Sequence, residues 1–328
     1  MKRYLITGAT GYIGSMLVKH LLALPGGTAH VAALVRDPQR ASRVLPKETE
    51  LICADITDER AMGQVEGSFD YMIHTASVTT SSYMVSHPVE TADSILLGTR
   101  NTLELARRLQ PRSMVCLSSM EVYGSVSLPN GKRAGEKELG DLRLEDPRSC
   151  YPLGKRMAEH YCHIFWREYQ VPVKIARLAQ TFGHGVRKDD RRVFAQFARS
   201  VLTGKNIELH TDGMSMGNYC SIEDVRDAIL LLLEQGKNGE AYNVANEDAT
   251  MRIRDMAALV AREVAAGRIG VDYRIDPLNR HGYAAPTELR LSANKLMDLG
   301  WMPKKSLVEM YCDLLTDWKY TTEQPQAT

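Results

Sequence analysis

Apolar positions along the first half of this chain recur in two alternating rhythms. A short run at Tyr4-Leu5-Ile6 enters a glycine-rich step, after which Met16, Leu17, His20, Leu21 and Leu24 fall near the helical period. His30–Arg36, Glu50–Ile56, Phe69–His74, Ser113–Leu117 and Pro172–Leu178 read as further short strands, with a long helical stretch over Pro88–Leu109. Strand followed by helix, repeated every few tens of residues, predicts an α/β fold built on a doubly wound parallel sheet. Ligands of such a sheet lie beyond the carboxyl ends of its strands.

After residue 179 the rhythm changes. Gln180–Arg187 leaves the sheet pattern, a helix starts near Val193, and Tyr219–Asp224 precedes an apolar helix reaching Leu233. Ala241–Ala245 is one more strand; then come a helix, a strand at Val271–Asp276, a loop holding Arg280, and a closing helix around Leu307–Trp318. The expected division is a dinucleotide-binding domain over 1–179 and 215–246 and a smaller mixed α/β substrate lobe over 180–214 and 247–320. Residues 321–328 are polar and expected to be a disordered tail.

The glycine step is Thr7-Gly-Ala-Thr-Gly-Tyr-Ile-Gly14, between a strand and a helix, the setting a dinucleotide fingerprint requires. Gly8 permits the tight turn, Gly11 lets the backbone approach a pyrophosphate, and Gly14 lets helix pack closely on strand. Thr10, Tyr12 and Ile13 belong to the same cofactor loop, which makes the sheet a Rossmann sheet. At the end of the second strand, where an acidic residue would favour NAD, the chain has Val35 followed by Arg36. Arg36 leans the reading mildly to NADP, with NAD the close alternative; a solvated cation over the adenine is equally compatible. Asp55 and Ile56 end the third strand near the adenine, Thr75-Ala76-Ser77 are small residues against which a cofactor can lie, and Leu178 closes the sixth strand.

Candidate chemistry gathers at the same edge. Ser119 and Glu121 follow the fifth strand, and Tyr151 and Lys155, four residues apart, share a face if Tyr151 opens a helix. A phenol with a pKa near ~10 is a poor base at neutral pH, and an adjacent ammonium favours its phenolate. Each residue alone also fits a plain surface role; the shared edge favours a site. Residues 125–146 form a polar loop expected to cover it. Arg187, Lys188, Arg191 and Arg192 cluster before the next helix and suit either a diphosphate or a solvated face.

Composition narrows the class without changing this picture. The 328 residues are 44% hydrophobic and 25% charged with a formal net charge of +1, which argues for no nucleic-acid or membrane partner. The cysteines at 53, 116, 150, 162, 220 and 312 show no metal-ligand or redox-pair spacing, so no metal is expected and a reduced, cytoplasmic setting is.

Taken together, Gly8–Gly14, His74-Thr-Ala, Ser118–Gly124 and Tyr151-x-x-x-Lys155 resemble the extended short-chain dehydrogenase/reductases, in their nucleotide-sugar epimerase, dehydratase and decarboxylase branch. Pro147-Arg-Ser-Cys-Tyr, Gly154–Glu159, Lys174–Leu178, Thr181-Phe-Gly, Asp190-Arg-Arg-Val and Asp276–Arg280 are most similar to UDP-glucuronate decarboxylases. The resemblance implies an NAD(P)-dependent enzyme that oxidises C4 of an NDP-sugar. Tyr151 would act as base, helped by Ser119, while Lys155 holds the ribose. Met120, Gln180, Thr181, Arg192 and Arg280 would meet the substrate, and the helices ending at 109 and carrying Lys155 would pair into a homodimer.

Three departures matter. An arginine common seven residues before Asp224 is Gly217, an asparagine common before Gly98 is Ile95, and Met120 replaces the aspartate that serves 4,6-dehydratases as acid. Glu121 keeps the C5 base and favours dehydratase or decarboxylase chemistry. The loss of the aspartate leaves a 4-epimerase open, and an NADPH-dependent 4-keto-sugar reductase or a non-catalytic cofactor-binding scaffold remain alternatives.

Overall fold

A computed structural model describes residues 1–275 and 287–323. Twelve strands among them are β1 (Lys2–Thr7), β2 (Ala29–Val35), β3 (Glu50–Cys53), β4 (Tyr71–His74), β5 (Ser113–Ser119), β6 (Val173–Leu178), β7 (Gln180–Phe182), β8 (Ile207–Leu209), β9 (Met216–Ser221), β10 (Ala241–Val244), β11 (Asn246–Arg252) and β12 (Val271–Tyr273). The α-helices are α1 (Tyr12–Leu22), α2 (Pro38–Val44), α3 (Glu59–Gly63), α4 (Ser81–Ser86), α5 (Pro88–Leu109), α6 (Cys150–Tyr169), α7 (Val193–Thr203), α8 (Ile222–Gln235), α9 (Ile253–Leu259), α10 (Asn294–Met297) and α11 (Leu307–Glu323).

Seven strands form one sheet in the order β10-β6-β5-β4-β1-β2-β3, every pair parallel. Alternate side chains divide between its faces, as the period of a strand demands. Tyr4, Ile6, Val31, Ala33, Tyr71 and Ile73 pack with α1 and α8, whereas Leu5, Ala32, Leu34 and Met72 pack with α5 and α6. The strand order reverses between β1 and β4, and the crevice there is where a doubly wound sheet takes its ligand.

A second core gathers around Phe182, Phe194, Tyr219, Tyr311 and Trp318, with Phe182 and Phe194 stacked at 4.4 Å. It lies on a small sheet, β11-β9-β7, and a pair, β12-β8. Three expectations change here. Gln180–Phe182 does leave the main sheet, but only to pair in parallel with β9 in the smaller one. The loop expected over the site is fastened elsewhere, and none of the described residues in 125–146 lines the cavity at the strand ends: Ser125 bridges Asp141, and Ala134 donates to the Arg290 carbonyl at 2.6 Å. The closing helix α11 runs to Glu323, three residues into the stretch expected to be disordered. Among the described residues no helix is long and apolar enough to cross a membrane.

Candidate active site

The glycine loop is built as its chemistry requires. Gly8 has φ +68°, and a Cβ on it would lie 2.5 Å from the Ala76 nitrogen; one on Gly14 would lie 2.4 Å from the Gly8 carbonyl oxygen. Gly11 caps α1 with extended backbone and no side-chain hydrogen bond, so the first N–H groups of the helix carry no capping side chain. This bare, positively polarised helix end, tight against β1 and β4, fits the pyrophosphate of a dinucleotide. Ala76 serves as the surface against which the loop closes.

From this loop a cavity of about 390 Å³ runs along the strand ends. Gly8, Gly11, Tyr12, Ile13 and Gly14 line one end, with Thr75, Ser77 and Leu178 beside them. Ser119, Met120, Glu121, Tyr151 and Lys155 line the middle, and Gln180, Thr181 and Arg192 the far side. Thr10, Arg36, Asp55, Ile56 and Ala76 are not in its walls. Arg36 is 77% exposed and 3.9 Å from Asp55, whose carboxylate accepts hydrogen bonds from Thr57. Ile56 packs over Gly98, and Asp37 caps α2. Arg280 lies outside the described residues.

Tyr151 sits in the first turn of α6, where Pro152 costs little because N–H groups there lack helical partners anyway. Tyr151 and Lys155 are both buried, the ammonium 5.9 Å from the ring centre. Lys155 Nζ donates to the Leu117 carbonyl at 2.8 Å, and burial pulls its pKa down. Ser119 Oγ accepts the Glu121 N–H at 3.2 Å, leaving its own proton to donate. Burial pushes the Tyr151 phenol well up and the Glu121 charge pushes it further, while the Ser119 hydrogen bond, Arg148 and Arg192 oppose them. The cations that act on the phenol thus include two arginines that spacing on α6 did not indicate.

Beneath these residues lies a buried ion pair. Arg177 Nη2 donates to Glu159 at 2.7 Å, and Ser118 Oγ donates to the same carboxylate at 2.5 Å. Arg177 also reaches the Tyr123 hydroxyl at 3.1 Å, which donates to Asn243 at 2.7 Å. One turn beyond Lys155, α6 is therefore fastened to β5, β6 and β10.

Sequence reasoning missed the wall formed by Thr79, Ser81 and Met84, and it left Ser118, Ala179 and Val193 unassigned. The wall carries no motif, although a run of hydroxyls facing a predicted strand end is a weak signal. The absence of an arginine at 217 has a physical counterpart: a Cβ there would lie 2.4 Å from the Tyr219 hydroxyl, so that ring fills the space. Ile95 packs with Met84, Tyr151 and Ala158. Away from the cavity, His184, Glu223 and Asp313 bring possible ligand atoms within 4.8 Å of one another. Lys305 pairs with both carboxylates, so the chain balances that charge itself.

A Rossmann sheet, a bare glycine-loop helix end and a Ser-Tyr-Lys set at one edge define an extended short-chain dehydrogenase/reductase that takes a nicotinamide dinucleotide. The chain belongs to the NAD dependent epimerase/dehydratase family, whose model matches residues 4–245. UDP-glucuronic acid decarboxylase 3 of Arabidopsis thaliana is 29% identical over 247 residues, covering 74% of this chain and 69% of that one. Among solved structures, a UDP-glucose 4-epimerase of Thermotoga maritima with UDP-glucose superposes with a TM-score of 0.83 at 23% identity, covering 98% and 99% of the two chains. RMD of Pseudomonas aeruginosa, complexed with NADPH, gives 0.76 at 23% identity over 98% and 99%.

Proposed function

We propose that this chain oxidises C4 of a nucleoside-diphosphate sugar to a 4-keto intermediate, as a cytoplasmic homodimer. The observation that carries the reading is the convergence of Ser119, Tyr151 and Lys155 on the cavity that the glycine loop opens. A nicotinamide ring bound there supplies the acceptor for the C4 hydride. Tyr151 removes the 4-hydroxyl proton, Ser119 donates to the phenolate oxygen, and Lys155 adds positive charge behind the pair while holding the ribose. Met120, Gln180 and Thr181 contact the substrate, Arg192 is the diphosphate cation, and Arg280 is a further substrate contact on the strength of the resemblance alone.

A ketone at C4 acidifies the C5 proton, and Glu121 is the carboxylate in the cavity that can remove it. Met120 has no proton for a departing 6-hydroxyl, so dehydration would need Glu121 as both base and acid. Loss of carbon dioxide from a uronate needs no acid, because the β-ketone drives it. Dehydratase or decarboxylase chemistry is the favoured outcome, and the likeness to a plant decarboxylase supports the second. NADP is mildly preferred on Arg36, whose exposed guanidinium lies 3.9 Å from Asp55; calorimetry with NADP and NAD on wild type and Arg36→Ala decides that point. The six free cysteines support a reducing compartment.

Incubation with UDP-, dTDP-, GDP- and CDP-sugars, a uronate among them, tests the reading by product mass. Loss of water, loss of carbon dioxide or an epimer of unchanged mass separates the products; turnover of a 4-keto-sugar by free NADPH would mark a reductase. Tyr151→Phe is expected to lower turnover by roughly 10²–10⁴-fold. Unaltered turnover would remove Tyr151 as the base.

A further inference from the structure

Arg148 belongs to a single 3₁₀ turn, Pro147–Ser149, that leads into α6. Its backbone N–H donates to Asp146 at 2.9 Å, which fixes the turn. From there Nη2 reaches both oxygens of Glu121, at 3.0 and 2.8 Å, and the guanidinium carbon lies 5.8 Å from the centre of the Tyr151 ring. The two side chains are 28% and 40% exposed, so the pair adds at most ~1 kcal/mol to stability. Its consequence falls on the group beside it.

Charged and titratable groups reach Tyr151 from several elements. Glu121 comes from the turn after β5, Arg148 from the turn before α6, Lys155 from the start of α6, and Arg192 from the residue before α7. Ser119 adds a hydrogen bond, and α4 and α5 contribute the uncharged Met84 and Ile95. Glu121 is the carboxylate acting most strongly on the phenol. An unmatched negative charge there opposes formation of a second one on Tyr151. We propose that Arg148 is a positioning residue for the proton transfer: its grip on Glu121 cancels the carboxylate facing Tyr151 and so governs how readily that phenol gives up its proton. The same grip holds the Glu121 carboxylate in one orientation at the cavity wall. This rests on the reading of Tyr151 as the base, yet its test needs no sugar.

The test is a pH titration of cofactor-saturated protein carrying 13Cζ-labelled tyrosine, with the Tyr151 resonance assigned by its loss in Tyr151→Phe. Relative to wild type, Arg148→Ala is expected to ionise Tyr151 about one pH unit higher, and Glu121→Gln lower. The double variant returns to the wild-type midpoint or below, because the carboxylate that Arg148 neutralises is gone. Arg148→Lys keeps the charge but not the planar guanidinium beside Tyr151, so a smaller shift in the same direction is expected; it also serves if Arg148→Ala does not fold. The proposal is overturned if all variants share the wild-type resonance across the accessible pH range, or if Glu121→Gln fails to reverse the Arg148→Ala shift. A purely structural arginine would lower the melting temperature without moving the midpoint. Failure of every sugar in the panel would remove the functional reading and leave this result standing.

Discussion

His74 shows how one side chain makes the molecule sensitive to acid. It ends β4, fully buried, with Nδ1 2.7 Å from the Thr7 hydroxyl and 3.3 Å from that of Thr102, and Nε2 3.4 Å from the Thr99 hydroxyl. Burial, assisted by the Lys155 charge, lowers its pKa to about 3. The unfolded chain binds a proton on this ring below pH ~6.5, while the folded one does so only near 3, so the stabilisation is complete above 6.5 and is lost as pH falls toward 3. Between pH 7.5 and 4.5 the wild type should lose roughly 2–3 kcal/mol more than His74→Asn, which keeps a polar group near the Thr7 hydroxyl. Urea unfolding at the two pH values measures this; equal losses would mean that the imidazole is not held neutral.

At the scale of elements, α6 carries Tyr151 and Lys155 at its start and Glu159 one turn later, and the Glu159–Arg177 pair fixes its distance from the sheet. Removing one partner strands a charge where water cannot reach it. Glu159→Gln should therefore cost about 3–5 kcal/mol, read as a shift of the denaturation midpoint, with the penalty reduced in Glu159→Gln/Arg177→Met. A loss below ~1 kcal/mol would show that water reaches the arginine. Elements were also where the sequence was most legible. The main-sheet strands, the glycine loop and α5 were all expected at or near their observed positions, because a two-residue period and glycine geometry are local signals. The small sheet was not expected: β7 has three residues, and β9 is buried along its whole length, so neither alternates. The pairing of Arg148 with Glu121 escaped notice because the two lie 27 positions apart, beyond any helical spacing.

For the whole molecule, α5 and α6 leave Val89, Leu97 and Met157 exposed at 66%, 42% and 39%. Burial of these exposed apolar side chains against a second copy would support the homodimer proposed above. Light scattering at micromolar concentration should give twice the 36.7 kDa chain mass, falling to one chain in Leu97→Glu/Met157→Glu; a monomeric wild type would end that proposal. The small lobe's pairing was hidden from sequence for the reason that most tertiary structure is: other helices and strands intervene between its paired strands, and nothing local records the partner.

The wall of Thr79, Ser81 and Met84 has a consequence for how this catalyst can change. It stands on or beside a six-residue helix, α4, that contributes one buried side chain, Met84, to the interior. Tyr151 and Lys155, by contrast, stand on a twenty-residue helix pinned from below. Under laboratory selection for a new sugar, permitted substitutions should accumulate in the first segment while the second stays fixed, so acceptance of substrates can drift without the oxidation step being rebuilt.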